Sequence, residues 1–384
     1  MSFASFPIFS SYISLYQWLI INLKHIALQR AYGVVNKNKI AEDLLSWYDI
    51  NARKLPWRIP PLESKTGVLP NPYYIWMSEV MLQQTTVAAV KEYFLKFIAL
   101  WPTVFDMANA KDEDVMAAWA GLGYYARARN LLKCARVIKN QYDGKFPSNE
   151  KDLLSLPGIG PYTAAAIMSI AFNKKAIVLD GNIERVMSRI YAVQEPLPAS
   201  KKALWLLASD LTPENRCGDY AQAVMDLGAT ICTPRSPKCT HCPWTSICLG
   251  LSQGIAGELP KKIPKLKKPV RVGTVYVALN DDHSMLLERR SKKGLLGGML
   301  GWPGSEWAII PTDHLEPIEA DWRSVNEPVR HTFTHFHLDL TIKIASNVKS
   351  VPRVGKFMSK DEFNPNDLPT LMRKVWDKAS EFLE

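Results

Sequence analysis

The sequence predicts a multidomain protein in which an all-α domain is followed by a smaller α+β domain. The chain has 384 residues, and single hydrophobic cores rarely grow beyond about 250 to 300 residues. Helical spacing of apolar residues runs from Asn38 onward, and no strong strand pattern occurs before residue 258. Hydrophobic residues make up 47% of the chain, enough to fill two cores.

The all-α part begins with a helix whose apolar face carries Ile40, Leu44, Trp47 and Tyr48. A proline-rich loop, "KLPWRIPPLESKTGVLPNP", follows it. Proline is favoured at the start of a helix, so the stretch after Pro72, "YYIWMSEVMLQQTTVAAVKEYFLKFIALW", is predicted to be one long helix. Later breaks fall at "GLGYY", "LPGIG" and "LDGN".

The α+β part contains the clearest strand signals. The stretches "VGTVYVALN" and "MLLERR" predict two strands joined by a turn at "DDHS". In "HTFTHFHLDLTIKIA" the residues alternate, which predicts a strand with one buried face formed by Phe336, Leu338, Leu340, Ile342 and Ile344. The final stretch, "LPTLMRKVWDKASEFLE", predicts a closing helix.

These signals divide the chain into an N-terminal extension (1–38), an all-α domain (39–230), a cysteine loop (231–250), a basic linker (251–270) and an α+β domain (271–384). Within the linker, Leu259 to Arg271 carries three prolines and six basic residues, which predicts an extended, self-repelling segment.

The N-terminal extension is expected to be dispensable. Its apolar stretch, Ile8 to Leu23, is shorter than the roughly 20 residues that a membrane span needs. It also lacks the basic start of a signal peptide, so a membrane or export role is the less favoured alternative. We expect a cytoplasmic protein, associated with the nucleoid if the source is bacterial.

The formal net charge is +10. Such a balance favours a polyanionic partner, either nucleic acid or an acidic membrane surface. Charge alone does not choose between them, and basic enzymes with other substrates exist.

Four of the six cysteines lie close together with the spacing C-x6-C-x2-C-x5-C: Cys232, Cys239, Cys242 and Cys248. Zinc sites usually use two facing C-x2-C turns, whereas a four-iron cluster takes four thiolates from one compact loop. We therefore favour a 4Fe-4S cluster over zinc. Arg235 and Lys238 in the same loop suit contact with phosphate. Cys134 and Cys217 are expected to be ordinary half-buried thiols.

The stretch "LPGIGPY" predicts a tight turn between two helices, with Gly158 and Gly160 supplying the freedom to turn. Backbone amides at the start of the second helix then attract a phosphate group. The alternative is a simple helix cap, and the basic charge of the chain favours the DNA-binding interpretation.

Two carboxylates are candidates for chemistry. Asp180 precedes a predicted helix, so it is either a helix cap or a carboxylate that stabilises positive charge on a sugar. Glu79 is either a helix-terminal acid or a proton donor. It lies on a stripe with Ile75, Trp76 and Leu82, where burial would raise its pKa.

Together these stretches resemble the MutY-type adenine DNA glycosylases of the helix-hairpin-helix superfamily. The resemblance covers roughly residues 39–384 and rests on seven motifs in order: "LPWR", "SEVMLQQT", "GLGYYARARNL", "LPGIGPYTAAAI", "LDGN", the four-cysteine loop and "HTFTHFHLDL". It implies excision of adenine paired with 8-oxoguanine or guanine in duplex DNA. The adenine must leave the base stack for this chemistry.

The resemblance also implies catalytic roles. Glu79 matches the acid that protonates adenine, and Asp180 matches the carboxylate that stabilises the sugar cation. Asn182 matches a residue that orients these groups, and Tyr162 matches the phenol beside the sugar. Endonuclease III relatives carry a lysine at the position of Tyr162, which forms a Schiff base. A phenol cannot form one, so we expect a monofunctional enzyme.

Further roles follow from the same resemblance. It places Trp57, Arg58 and Gln222 around the adenine, and Gln84, Leu122 and Tyr124 around the opposite base. The C-terminal part resembles a Nudix-like domain that recognises 8-oxoguanine through Phe333, Thr334 and His335. Threonine stands where the family usually has serine and keeps the hydroxyl. The acidic helix that binds magnesium in Nudix enzymes is missing, so pyrophosphate hydrolysis is not expected.

We expect a monomer that binds duplex DNA and has no membrane partner. Two other functions stay open at this point. One is a non-catalytic DNA-binding protein with a structural cluster, and the other is a cluster-based electron carrier.

Overall fold

The structure is a computed structural model that describes residues 37–264, 267–291, 294–311 and 314–383. The predicted extension therefore lies outside the described residues except for Lys37 and Asn38, which begin the first helix. No helix in the described ranges is long and apolar enough to cross a membrane.

The described residues form two compact units. Unit 1 contains residues 37–112 and 126–264, and unit 2 contains residues 113–125 together with the described residues after 266. Unit 1 is helical. Within the described residues 37–264, β pairing is limited to an isolated bridge from Leu197 to Lys262.

Thirteen α-helices precede the sheet in the described residues: α1 Lys37–Asn51, α2 Pro61–Ser64, α3 Pro72–Leu82, α4 Val87–Leu100, α5 Val104–Asn109, α6 Asp112–Trp119, α7 Ala126–Tyr142, α8 Glu150–Ser155, α9 Pro161–Ala166, α10 Gly181–Ile190, α11 Lys201–Leu211, α12 Cys217–Thr230 and α13 Leu249–Ser252. A π-helical turn, Ile167–Ala171, extends α9.

The prediction of one long helix after Pro72 is wrong, because the chain breaks between α3 and α4. Gln84 adopts a left-handed φ of 59°, and Thr86 caps α4 by accepting a hydrogen bond from the Ala89 amide. The guanidinium of Arg127 donates to the carbonyls of Val80 and Met81 at 3.1 and 2.9 Å. A side chain from α7 thus binds carbonyls at the end of α3, and no glycine or proline marks the break in the sequence.

The predicted turn between two helices is present between α8 and α9. Gly158 has a φ of +79°, which L side chains rarely adopt. A Cβ at this position would also lie 2.8 Å from Cβ of Asn130. This turn places Pro161 and Tyr162 in the first turn of α9.

Unit 2 contains a mixed seven-stranded sheet: β1 Val270–Asn280, β2 Met285–Arg289, β3 Leu300–Gly301, β4 Arg323–Ser324, β5 Val329–Thr332, β6 His337–Val348 and β7 Lys356–Met358. The order is β3-β2-β1-β6-β4, with β5 pairing β6 and β7 pairing β2. β1 and β6 run parallel, whereas the other pairs are antiparallel.

One face of this sheet is covered by the closing helix α14, Thr370–Ala379. The predicted alternation around β6 is confirmed, since Phe336, Leu338, Leu340, Ile342 and Ile344 are all buried. Trp302 stacks on Trp376 at a centroid distance of 5.5 Å. An all-α unit and a smaller mixed-sheet unit confirm the predicted fold class.

Part of the segment predicted to be an extended, self-repelling linker packs against other residues of unit 1. Leu259 is buried, its carbonyl accepts a hydrogen bond from Arg189 Nε at 2.9 Å, and the Lys261 carbonyl accepts one from the Leu197 amide at 2.8 Å. These contacts could not be predicted from the sequence, because they are made by backbone carbonyls, which are present in every residue.

Candidate active site

Glu79 lies in the middle of α3 with only 5% of its surface exposed. Ile75 and Trp76 precede it on the helix and are also buried. The predicted burial of Glu79 is confirmed, although Leu82 of the predicted stripe is half-buried and α3 is buried on nearly all sides. An isolated buried carboxylate is costly, so its partners decide its protonation state.

The hydroxyl of Tyr162 is a direct partner of this carboxyl group. It donates a hydrogen bond of 2.8 Å to Glu79 Oε2. Because Tyr162 is in the first turn of α9, the turn at Gly158 and the residue that contacts Glu79 belong to one hairpin.

The pKa of Glu79 is raised to about 7. Burial is the main cause, and the negative charge of Asp180 adds to it, whereas the Tyr162 hydrogen bond and the charge of Arg58 act in the opposite direction. The pKa of Tyr162 is raised well above its usual value by burial and by the charges of Glu79 and Asp180. At neutral pH the site thus holds a neutral phenol beside a carboxyl group that is close to half protonated.

Asp180 is the helix cap that its sequence position allowed. Its Oδ1 accepts a hydrogen bond from the Ile183 amide at 2.8 Å, which caps α10. Its Oδ2 accepts a hydrogen bond from Asn182 Nδ2, also at 2.8 Å. This cap fixes the direction of the Asp180 carboxylate. The carboxylate lies close enough to Glu79 for its charge to raise the pKa of that residue.

A chain of hydrogen bonds runs from Asp180 to the cysteine loop. Arg185 Nη2 donates to Asn182 Oδ1 at 2.9 Å and to the Gly228 carbonyl at 2.7 Å. Its Nε donates to the Cys232 carbonyl at 2.7 Å. Gly228 lets α12 approach closely, since a Cβ there would lie 2.7 Å from Cβ of Asn182.

The four clustered cysteines line one cavity in unit 1, together with Arg189, Trp244 and other largely apolar residues. Within the described ranges, no three metal-ligating side chains converge on a site for a single ion. Four cysteines around one cavity match the four thiolate ligands of a 4Fe-4S cluster.

The surroundings of the thiols also fit an iron-sulfur cluster. Arg189 Nη1 lies 3.3 Å from Cys232 Sγ, where an N–H group stabilises sulfur charge. Burial raises the pKa of the Cys242 thiol to about 12, so cationic iron is needed to hold it as a thiolate. Cys134 and Cys217 are fully buried, rather than half-buried as expected.

The three residues expected around the adenine, Trp57, Arg58 and Gln222, each make different contacts. Trp57 is buried and makes an edge-to-face contact with Phe94 at 5.2 Å. Gln222 is buried in α12 and donates to the Gly218 carbonyl at 3.2 Å. Arg58 is close enough to Glu79 to lower the pKa of that carboxyl group.

Of the residues expected near the opposite base, some are exposed and others are buried. Gln84 and Tyr124 are exposed and have left-handed φ angles of 59° and 48°. Leu122 is 6% exposed, so its side chain is buried. In unit 2 the hydroxyls of Tyr124 and Thr334 lie 2.8 Å apart. Phe333 packs against the core, whereas Thr334 and His335 are exposed.

Comparison with known proteins places this chain among DNA repair proteins. Family models match at residues 77–208 (HhH-GPD superfamily base excision DNA repair protein), 232–248 (iron-sulfur binding domain of endonuclease III) and 274–378 (NUDIX domain). The chain is 33% identical over 400 residues to the adenine DNA glycosylase of Homo sapiens, covering 87% of this chain and 72% of that protein. The chain belongs to the adenine DNA glycosylase family.

Bacterial relatives are matched almost along their whole length. The adenine DNA glycosylase of Buchnera aphidicola subsp. Schizaphis graminum is 31% identical over 343 residues, covering 86% of this chain and 96% of that protein. The enzyme from the subspecies Baizongia pistaciae is 32% identical over 353 residues, with 89% and 97% covered. The predicted family is thereby confirmed, and the match at residues 232–248 to the iron-sulfur binding domain of endonuclease III confirms the predicted 4Fe-4S cluster.

Sequence reasoning missed Asp226, a buried residue of this chain next to the predicted adenine site. Its fully buried carboxylate accepts hydrogen bonds from Arg58 Nη1 at 2.8 Å and from Arg53 Nε at 2.6 Å. It also accepts one from the Arg53 amide at 2.9 Å. Asp226 lies one turn beyond Gln222 on α12. Because residues four positions apart share a helix face, this spacing could have predicted that Asp226 lies on the same face as the predicted pocket residue.

We predict that Asp226→Asn lowers the free energy of unfolding by about 3 kcal/mol or more, because it leaves a buried arginine without its counter-charge. Urea unfolding followed by circular dichroism measures the change. Asp112→Asn is the matched control. Asp112 pairs with Arg136 at 2.8 Å but stays largely exposed, so its loss costs less than about 1 kcal/mol. Equal effects of the two variants would contradict the role given to Asp226.

Proposed function

We propose that this protein is an adenine DNA glycosylase that removes adenine paired with 8-oxoguanine or guanine in duplex DNA. The observation that carries the proposal is the buried Glu79 carboxyl group, which accepts a hydrogen bond from Tyr162 and has a pKa of about 7. A general acid works best when its pKa is near the working pH. Membership of the family and the charge of +10 support a DNA substrate.

In the proposed reaction, Glu79 gives its proton to the adenine ring at N7. The bond between the sugar C1′ and the base nitrogen then breaks, and its electron pair leaves with the base. The Asp180 carboxylate, fixed by the Ile183 amide and Asn182, stabilises the positive charge that develops at C1′.

Water completes the reaction by adding its oxygen to C1′, and its proton returns to Glu79. The products are free adenine and an abasic site. The neutral Tyr162 phenol keeps the Glu79 carboxyl group oriented and lies next to the reacting sugar. Cys232, Cys239, Cys242 and Cys248 would hold the 4Fe-4S cluster, which would keep the cysteine loop in shape.

We assign the remaining predicted residues to DNA recognition. Trp57, Arg58 and Gln222 surround the extruded adenine, which pairs and stacks with protein groups once it has left the helix. Gly158 and Gly160 belong to the turn that binds phosphate. Gln84, Leu122, Tyr124, Phe333, Thr334 and His335 contact or support the contact with the opposite base. We further propose that the enzyme acts as a monomer.

The rate of adenine release should depend on the protonated form of Glu79. Because the rate requires the acid form, single-turnover release from an A:8-oxoguanine duplex should fall as the pH rises through about 7. Glu79→Gln cannot transfer a proton and should lower the rate by about 100-fold or more.

The matched control is Glu63→Gln, an exposed acid in α2 of the same unit, which should keep the wild-type rate and pH profile. If the wild type releases no adenine, the protein is a DNA-binding module rather than a glycosylase. If Glu79→Gln matches the wild type, the acid has been misassigned.

Tyr162 should prevent strand cleavage of the Schiff-base type. No amine stands at this position, so the enzyme should form no imine with the sugar. Borohydride treatment during turnover should therefore trap little protein on DNA. Tyr162→Lys provides the comparison, since it introduces an amine at the same place. Efficient trapping of the wild type would contradict a monofunctional enzyme.

A further inference from the structure

Three aromatic rings form a row in unit 2 beneath the exposed Thr334. The rings of Trp307 and Phe333 have centroids 5.6 Å apart, and those of Phe333 and Phe336 are 4.9 Å apart. Phe336 is buried in the core of the sheet. The row is therefore anchored at one end, and Phe333, which was expected to meet the DNA base, instead supports the residue after it.

An arginine lies over each end of this row. The guanidinium carbon of Arg290 is 4.7 Å from the ring centroid of Trp307, and that of Arg271 is 4.3 Å from that of Phe336. We call these five residues the arginine–aromatic row. A guanidinium stacked on a ring keeps its N–H edge available for an anion. Stacking also orders the long side chain before any ligand arrives.

Neither arginine has a carboxylate partner within 4.0 Å among the described residues. Arg290 has only the more distant charge of Glu288, and burial lowers its pKa. The contrast is Arg330 on the same sheet, which binds both Asp339 oxygens at 2.7 Å. Two half-buried arginines are thus held in place while their charges stay available.

A further positive charge lies at the loop that carries Thr334. Lys268 Nζ donates to the Phe333 carbonyl at 2.8 Å, directly before Thr334. In the sequence, Arg289 directly precedes Arg290. An anionic partner with several charges suits this surface, and a DNA strand supplies one phosphate per nucleotide.

We propose that Arg271 and Arg290 bind phosphates of the DNA strand that carries the base opposite adenine. This inference rests on the proposed function, since it takes Thr334 and His335 as the residues that meet that base. The arginine–aromatic row fixes the register of the strand, and Thr334 reads the base. Phosphate contacts position a protein on DNA without carrying sequence information, so the arginines contribute affinity rather than preference for 8-oxoguanine.

The test measures DNA binding in the Glu79→Gln background, where chemistry is removed. Affinities of Arg271→Gln and Arg290→Gln are determined over a range of salt concentrations by fluorescence anisotropy. The probes are a duplex with A:8-oxoguanine and the same duplex with a T:A pair at that place. Arg330→Gln is the matched control, because that arginine is already paired with Asp339. Circular dichroism shows whether each variant keeps the fold.

Each row variant should weaken binding to both duplexes by the same factor. The slope of log affinity against log salt should become shallower by about 1 for each arginine, whereas Arg330→Gln should leave it unchanged. Arg271→Lys and Arg290→Lys should retain the wild-type slope, because they keep the charge.

Slopes that stay at the wild-type value in folded Gln variants would overturn the proposal. A loss confined to the A:8-oxoguanine duplex would also overturn it, because that result assigns the arginines to base recognition. Adenine release by the protein with an intact Glu79 is measured separately, so failure of the glycosylase assignment and failure of the phosphate contacts give different results.

Discussion

The hydrogen bond from Tyr162 to the buried Glu79 is the interaction on which the rest of the site depends. Burial alone would protonate a carboxyl group, and a strong positive partner alone would ionise it. In this protein, burial and Asp180 raise the pKa of Glu79 while Tyr162 and Arg58 lower it. The balance leaves the acid poised near neutral pH, which a proton donor needs.

The surrounding helices hold this balance in place through charged side chains that are themselves fixed. Asp226 binds Arg58 at the wall of the site. Arg185 joins Asn182 to the carbonyl of Cys232, and Arg189 binds carbonyls of the cysteine loop at Thr233 and Pro234. The cysteine loop and the helices that carry Asn182 and Asp226 thus share a framework of buried arginines. Loss of one arginine partner costs more than the loss of a surface ion pair.

Sequence reasoning found the features whose signal is local. The burial of Glu79, the turn at Gly158 and the alternation after Phe336 each follow from spacing along a few residues. It missed features that depend on distant partners. The break after α3 involves Arg127 from another helix, and Asp226 meets arginines more than 160 residues away in the chain. The packing of Phe333 against Trp307 was missed as well, because it also joins residues that are distant in the sequence.

The most direct test of the account is the protonation state of Glu79 in the cluster-containing protein without DNA. Infrared difference spectra between the wild type and Glu79→Gln, recorded from about pH 5 to about pH 9, isolate the carboxyl band of this residue. The account predicts a protonated carboxyl group that titrates near pH 7. A carboxylate that is already fully ionised at about pH 5, as for an ordinary surface glutamate, would contradict it.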